Sequence, residues 1–330
     1  MKAAASTLRI PYAELSATLA DILLRRGFAP DRALLCARLF AETTRDGVYS
    51  HGVNRFPRFI RMMGNGSIDI HAQPRVVSKT GALERWDGQR GPGNLNAYAS
   101  MARAIEIART EGIGCVALAN TNHWMRGGSY GWQAAEAGAI SICWTNTLPN
   151  LPPWGGTLPA LGNNPLVIAV PRAEGHVVLD TAMSQFSYGA LAEHGARGEQ
   201  LPVDGGFDSQ GNLTRDPGAI EASQRPLPIG YWKGSGLSLV LDMIAAMLSG
   251  GAATHQIARD PEHESGVSQV FIAFSAIGNA NPVADSIIDS LRAEDAAIRY
   301  PGEQVLRVRK ENLAQGVPVN PAVWVEVLGM

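Results

Sequence analysis

The chain has 330 residues, which suits either two modest domains or one large domain. Hydrophobic residues make up 45% of it and charged residues 18%, so we expect a packed core without extensive disorder. The 28 Lys and Arg residues nearly balance the 30 Asp and Glu residues. Such a balance provides no positive field for nucleic acid or anionic lipid, and we expect neither as a partner.

Cysteine usage and apolar runs bear on the cellular compartment. Cys36, Cys115 and Cys143 are sparse, odd in number and without CxxC spacing, which argues against a disulfide scaffold or a zinc ribbon. The first ten residues lack the apolar run of a signal peptide, and no run of about 18 apolar residues occurs. We therefore expect a soluble cytoplasmic protein without a membrane segment.

The N-terminal part of the chain has helical spacing. Apolar residues at helical intervals predict helices over 11–27, 31–44 and 54–63, with a break at Ser50-His51-Gly52. We assign residues 1–74 to an N-terminal helical layer that contributes to the substrate site and to an interface.

From Arg75 onwards helices and strands alternate, which predicts an α/β core of residues 75–270 and a C-terminal segment, 271–330, that returns to it. The Pro-, Gly- and Asp-rich stretch 200–231 predicts a long loop, and loops of that length are usually functional or interface arms. The predicted elements are a hairpin over 76–86, strands over 113–119, 140–145, 166–170, 177–179 and 270–274, and helices over 94–111, 129–138, 235–248, 282–292 and 302–312.

The glycines do not form a standard nucleotide loop. Gly91-Pro92-Gly93 lacks the third glycine of G-x-G-x-x-G, and the 230–236 stretch lacks the Gly-Lys-Ser/Thr order of a phosphate loop. His263-Glu264 has no second histidine four residues after the first, so no metal site is predicted. The Rossmann fingerprint is therefore absent.

One match favours a different enzyme class. Residues 127–131 fit the G-x-S-x-G nucleophile elbow, with Ser129 as the nucleophile. An elbow requires a strand that ends at the serine, whereas the predicted strand ends near Ala119. A serine hydrolase remains an alternative, and a glycine-rich helix entry explains the same residues.

Two histidines stand in chemically suggestive surroundings. His51 lies at the break between two helices, with Ser50 before it and Arg55 four residues later. His123 follows a predicted strand, and the carboxyl ends of strands commonly carry active sites. A histidine in either setting, taken alone, is more often a surface or hydrogen-bonded structural residue.

Five blocks of sequence are informative when they are taken together. They are Ser50-His51-Gly52-Val53-Asn54-Arg55, Asn122-His123, Gly162-Asn163-Asn164-Pro165, Asp180-Thr181-Ala182-Met183-Ser184 and Tyr231-Trp232-Lys233-Gly234-Ser235-Gly236-Leu237. In this order they resemble the malate/L-lactate/ureidoglycolate dehydrogenase family of nicotinamide-dependent oxidoreductases that lack a Rossmann fold. The resemblance covers nearly the whole chain, and it implies a non-Rossmann α/β fold with a mixed sheet and an N-terminal helical layer.

The resemblance implies catalytic roles for four residues. His51 is implied as the proton donor, with Ser50 orienting its ring, and its usual pKa near working pH suits proton cycling. His123 matches a second active-site histidine, and which of the two protonates the alkoxide is left open. Arg55 is the candidate for the substrate carboxylate, because guanidinium binds carboxylate at two points.

The resemblance also implies a cofactor site for NAD, with NADH preferred and NADPH possible. Lys233, beside Gly234 and Gly236, suits a pyrophosphate at a helix start, and Arg172 is a candidate contact for a 2′-phosphate. The implied cofactor-binding residues are Thr147, His176, Val177, Val178, Leu179, Asp180, Thr181, Ala182, Trp232, Lys233, Gly302, Glu303 and Gln304.

The implied reaction is reduction of a 2-keto acid, most similar to family members that act on 2,3-diketo-L-gulonate. Malate, lactate, ureidoglycolate or a cyclic imino acid are the alternative substrates, and a catalytically idle binding module is the non-enzymatic one. The family also implies a homodimer with the active site at the subunit interface, and the 200–231 arm is a candidate contributor to that interface.

Overall fold

The computed structural model describes residues 8–275 and 281–330. Helices and strands alternate through most of the chain, as the sequence predicts. The strands are β1 (Leu8–Ile10), β2 (Arg75–Thr80), β3 (Leu83–Asp87), β4 (Ile113–Asn122), β5 (Ala139–Thr145), β6 (Pro149–Leu151), β7 (Leu161–Gly162), β8 (Leu166–Val170), β9 (Val177–Thr181), β10 (Gly206–Phe207), β11 (Leu213–Thr214), β12 (Ser265–Ser275) and β13 (Val317–Val319).

The helices carry the apolar faces that cover the sheet and build the N-terminal layer. Short 3₁₀ turns over Tyr49–His51 and Val53–Arg55 separate the second helix from the third. The helices are α1 (Tyr12–Arg25), α2 (Pro30–Arg45), α3 (Phe56–Gly64), α4 (Gly93–Glu111), α5 (Gly128–Glu136), α6 (Tyr188–Arg197), α7 (Pro217–Ser223), α8 (Trp232–Ser249), α9 (Asn281–Glu294), α10 (Glu303–Gln315) and α11 (Pro321–Leu328).

Within the described residues, seven strands form one mixed sheet in the order β2-β3-β4-β12-β5-β8-β9. Strand β12 lies between β4 and β5 and runs antiparallel to both, so the β4-α5-β5 unit is not a pair of adjacent parallel strands. Strand alternation sends Phe271 to the face covered by α4 and α5, and Val270 to the face covered by α8. The predicted strand 270–274 is therefore the centre of the sheet, and the predicted boundary at 270/271 falls inside it.

The N-terminal layer has its own core. Leu15, Leu19 and Phe40 from α1 and α2 are fully buried there, together with Phe56 and Phe59 at α3. Strand β13 pairs with β1, and α11 packs on α3, so the end of the chain joins the helical layer as well as the sheet. The predicted helical layer is confirmed, and it is completed by these C-terminal elements.

The 200–231 stretch is not the long structureless loop that its composition predicts. It contains the β10–β11 hairpin and α7, and α6 packs beside α7. Leu191, Leu201 and Ile220 are buried in a small hydrophobic cluster separate from the main cores. Proline and glycine here begin and end short elements, with Asp216 capping α7 through Gly218 and Ala219 N–H groups.

No helix among the described residues combines the length and apolar character required to cross a bilayer.

Candidate active site

A cleft of about 1190 Å³ brings together residues far apart in sequence. One wall carries the 3₁₀ turns between α2 and α3, and another carries the segment after β4 and strand β9. The segment before α6, the end of α7 and the start of α10 complete its rim. The predicted site residues that line it are Ser50, His51, Arg55, His123, Thr147, Val178, Leu179, Asp180, Ala182 and Gly302.

The two predicted catalytic histidines face each other in this cleft. The rings of His51 and His123 are stacked, with centroids 5.7 Å apart and planes 19° apart. The Nδ1 atom of His51 lies 2.9 Å from the hydroxyl oxygen of Ser50, and the backbone N–H of Met125 donates to His123 Nδ1 at 3.0 Å. Among the described residues, neither Nε2 atom has a hydrogen-bond partner.

The hydrogen bonds set different limits on the two rings. An Nδ1 atom that accepts from a backbone N–H carries no proton, so neutral His123 has its proton on Nε2. A hydroxyl both donates and accepts, so Ser50 can remain bonded to His51 in either protonation state. His51 is therefore free to gain and lose a proton, whereas protonation of His123 would break its bond to Met125.

Both histidines are held neutral. Burial, followed by the charges of Arg55 and Arg126, lowers the pKa of His51 to about 4. Burial also lowers the pKa of His123 well below its usual value. Burial, with a smaller contribution from the neighbouring cations, thus lowers both pKa values below the usual value on which the sequence analysis relies.

Arg55 is the predicted carboxylate-binding residue, and it has a buried partner. Its guanidinium Nη2 lies 3.6 Å from Glu264 Oε2, with side-chain exposures of 18% and 4%. Burial lowers the pKa of Arg55 to about 10, a value at which it is still charged at neutral pH. The other Glu264 oxygen accepts from the backbone N–H of Leu148 at 3.2 Å. Glu264 thus connects Arg55 to the segment that follows Thr147.

The predicted cofactor side is built from β9 and two helix N-termini. The Asp180 carboxylate accepts the Gly128 N–H at 2.8 Å, at the start of α5. Gly302 precedes α10 with φ +98°, and a Cβ there would lie 3.1 Å from the carbonyl oxygen of His176 and the amide nitrogen of Val178. The close approach places the N-terminus of α10 against β9, and such helix ends favour phosphate groups.

The residues present fit a dinucleotide. Trp132, 5% exposed, lines the cleft beside Gly302, and its Nε1–H is a buried donor without a partner among the described residues. A buried unpaired N–H is costly unless a ligand accepts from it. Together with the start of α10, this donor supports a polar ligand along the β9 side of the cleft.

Seven of the predicted cofactor-binding residues do not line this cleft. His176 Nδ1 accepts from Arg172 N–H at 3.1 Å instead of facing the cleft. Trp232 is 65% exposed at the start of α8, next to Lys233. The predicted residues outside the cleft lining are His176, Val177, Thr181, Trp232, Lys233, Glu303 and Gln304.

Sequence reasoning missed several residues of this site. Glu264 drew notice only as half of an incomplete metal motif, and its pairing with Arg55 depends on β12 lying beside β4. Asp46 lies outside the cleft lining and accepts hydrogen bonds from Arg126, which lines the cleft, at 2.7 Å and from Arg309 at 2.7 and 2.8 Å. Although burial opposes it, these partners lower the pKa of Asp46 to about 2. No local sequence pattern indicates contacts between residues so far apart in the chain.

The hydrolase alternative fails on geometry. Strand β4 ends at Asn122, and Ser129 lies in the first turn of α5, so no strand leads into the serine. A nucleophile elbow needs that strand-to-helix turn to expose its hydroxyl.

The comparisons with known proteins agree with the fold. A family model described as malate/L-lactate dehydrogenase matches residues 10–328. The chain belongs to the malate/L-lactate dehydrogenase family. It is therefore an oxidoreductase of a nicotinamide-dependent family, and the predicted resemblance and non-Rossmann fold are confirmed.

Two curated relatives are similar over nearly the full length. The chain is 49% identical to the 2,3-diketo-L-gulonate reductase of Citrobacter koseri and 48% identical to that of Klebsiella pneumoniae. Each alignment covers 97% of this chain and 99% of the relative. Members of the family with known structures share the fold: a putative malate/lactate dehydrogenase from E. coli has a TM-score of 0.90, 27% identity and coverage of 98% and 96%.

A second solved structure has a different reaction in its name. The Δ1-piperideine-2-carboxylate reductase of Pseudomonas syringae has a TM-score of 0.88 and 27% identity, with coverage of 98% of this chain and 99% of that one.

Proposed function

We propose that this enzyme reduces a 2-keto acid with a nicotinamide cofactor, and that its substrate is 2,3-diketo-L-gulonate, which becomes 3-keto-L-gulonate. The observation that carries the proposal is the meeting of His51, His123 and Arg55 in one cleft. The names of the relatives at 49% and 48% identity support the substrate.

Arg55 binds the substrate carboxylate in this proposal. Among the neighbouring cations it lowers the pKa of both histidines most, and its 3.6 Å separation from Glu264 leaves guanidinium N–H groups available for a second anion. A carboxylate held at Arg55 brings the adjacent ketone toward the histidine pair. It also offsets one of the cations that lower the pKa of His51.

His51 donates the proton, and His123 only donates a hydrogen bond. Reduction leaves negative charge on the former carbonyl oxygen, and protonated His51 transfers its Nε2 proton there, becoming neutral imidazole. Ser50 keeps its contact with Nδ1 throughout. His123, fixed as the Nε2–H tautomer by Met125 N–H, orients and polarises the same oxygen.

The cofactor binds along β9, α5 and α10. Bound nicotinamide supplies the hydride for the carbonyl carbon. Thr147 lines the nicotinamide side, while Asp180 is available to ribose hydroxyls and the start of α10 to the phosphates. NADH is the proposed cofactor, since Arg172, the candidate for a 2′-phosphate, already pairs with Asp285 and donates to the Glu174 carbonyl oxygen at 3.2 Å.

A homodimer is part of the proposal, and α8 supports it. Its inward face is built largely from small and polar residues such as Ser235, Ser238 and Ala245, whereas its outward face is apolar. Met247 is 79% exposed and Met243 51%. An apolar face turned outward marks an interaction surface. The same face begins with Trp232 and Lys233, so dimerisation through α8 would carry these two residues toward the partner's cleft.

We also propose a cytoplasmic location, because Cys36, Cys115 and Cys143 are unpaired thiols.

The test is a panel of substrates, with each reaction monitored through the change in nicotinamide absorbance. We expect the highest kcat/KM with 2,3-diketo-L-gulonate and NADH, above oxaloacetate, pyruvate and Δ1-piperideine-2-carboxylate, and above ureidoglycolate in the oxidative direction. A higher kcat/KM for any of these alternatives would move the assignment to that substrate. A preference for NADPH would overturn the cofactor choice.

Light scattering tests the dimer. We expect wild-type protein to be dimeric and Met247→Glu to be monomeric, because the substitution places a charge in the apolar face of α8. Val325→Glu is the matched control, since Val325 is 70% exposed on α11, outside that face. A monomeric wild-type protein would contradict the proposal.

A further inference from the structure

One wall of the cleft carries several uncharged polar side chains. It is formed by the segment before and at the start of α6, by the end of α7 and by the loop after Thr147. This wall differs from the Arg55 side, where cations and a buried carboxylate meet. Its members with side-chain hydrogen-bonding groups are Asn150, Ser187, Tyr188 and Gln224.

Contacts fix this wall next to the proton donor. Gly189 abuts Ser50 so closely that a Cβ there would lie 2.6 Å from Ser50 Cβ. Tyr188 donates its hydroxyl hydrogen to the Asn150 carbonyl oxygen at 3.2 Å. Since Ser50 contacts His51, a substrate whose ketone meets His51 has this wall within reach of its remaining carbons.

Asn150 has an unused acceptor. Its Oδ1 atom is buried and has no hydrogen-bond partner among the described residues. A buried amide oxygen without a partner is unfavourable, and a ligand hydroxyl would satisfy it.

Gln224 has an unusual backbone for its residue type. It ends α7 in the left-handed conformation, at φ +54° and ψ +33°. The helices α6 and α8 end in the same conformation, but on Gly198 and Gly250. Glycine adopts this conformation without strain, whereas glutamine does so at a cost. The end of α7 that lines the cleft thus carries a long amide side chain where glycine would be the relaxed choice.

We infer that Gln224 and Asn150 form a subsite for the hydroxyl groups of a polyhydroxylated 2-keto acid, and that Gln224 is the specificity-determining residue. The two amides offer donors and acceptors to neutral hydroxyls, and neither attracts a second anion. The inference rests on the proposed reduction of 2,3-diketo-L-gulonate and assigns recognition of its hydroxyl groups to these two residues.

Gln224→Gly separates this role from a structural one. The substitution removes the side chain and relieves the backbone, so the melting temperature should be unchanged or higher. We expect roughly a five- to tenfold rise in KM for 2,3-diketo-L-gulonate, because about one or two hydrogen bonds to its hydroxyl groups are lost. The kcat/KM for pyruvate should be unchanged. Asn150→Ala should also raise the KM for 2,3-diketo-L-gulonate and leave kcat/KM for pyruvate unchanged.

Gln89→Gly is the matched control. Gln89 has φ +50° and lies outside the cleft lining, so its replacement relieves similar strain and should leave both substrates unaffected. A wild-type enzyme that reduces pyruvate without favouring hydroxylated acids would overturn the subsite and leave keto acid reduction standing. An undiminished preference in Gln224→Gly would also overturn it. Failure with every keto acid would instead refute the proposed function and the subsite with it.

Discussion

The two sides of the cleft differ in how far a single chain completes them. On the substrate side, Ser50, His51 and Arg55 lie within six residues of sequence, and each has a contact that orients it. On the cofactor side, Trp232 and Lys233 lie outside the cleft lining of their own chain. In the proposed function, residues close together in sequence serve proton transfer and carboxylate binding, whereas Trp232 and Lys233 would reach a cofactor only in a partner's cleft.

The largest expected effect tests the substrate side through its histidines. We expect His51→Gln to lower kcat by about 10²- to 10⁴-fold, because an amide cannot transfer a proton. His123→Gln should lose much less, since the glutamine amide N–H replaces the Nε2–H donor. Steady-state kinetics of both variants, with folding verified by circular dichroism, decides which histidine transfers the proton. The reverse ranking would assign proton transfer to His123.

Next in size is the loss of the buried partner of Arg55. Glu264→Gln keeps the shape and the acceptor for Leu148 N–H but leaves a buried guanidinium uncompensated, so we expect about 3 kcal/mol lower unfolding free energy. Glu262→Gln is the control, because Glu262 pairs with Arg58 and Arg61 near the surface and should change stability by less than about 1 kcal/mol. Urea unfolding measures both. Equal losses would show that Glu264 does not compensate Arg55.

A smaller effect is a shift in pH dependence. With the pKa of His51 lowered to about 4, neutral His51 is available as a base at all higher pH values. In the oxidative direction kcat/KM should therefore stay level down to about pH 4 and fall below it. In the reductive direction kcat should decline at a higher pH than kcat/KM, because a carboxylate at Arg55 raises the pKa of His51 in the complex. Identical profiles for kcat and kcat/KM would contradict this coupling.

Local sequence patterns predicted that His51 and Arg55 share one surface. Contacts between residues far apart in the chain could not be predicted in this way. The spacing of His51 and Arg55 reads directly from the sequence, as do the apolar faces of α1 and α2. The insertion of β12 between β4 and β5 depends on sheet pairing over more than a hundred residues, and the Glu264 contact with Arg55 follows from it. The 200–231 stretch misled because its prolines and glycines delimit short elements as readily as they form a loop.

The smallest predicted effect concerns the cofactor side. If α8 brings Lys233 to the partner's cleft, Lys233→Ala should raise the KM for NADH several-fold through loss of a phosphate contact, with kcat at saturating cofactor little changed. Lys310→Ala, an exposed lysine of α10, is the control and should have no effect. Met247→Glu should weaken NADH binding to a similar degree, because it separates Lys233 from the partner without altering it. Normal NADH affinity in both Lys233→Ala and a monomeric Met247→Glu would mean that one chain completes its own cofactor site. Both sides of the cleft would then be formed by a single chain.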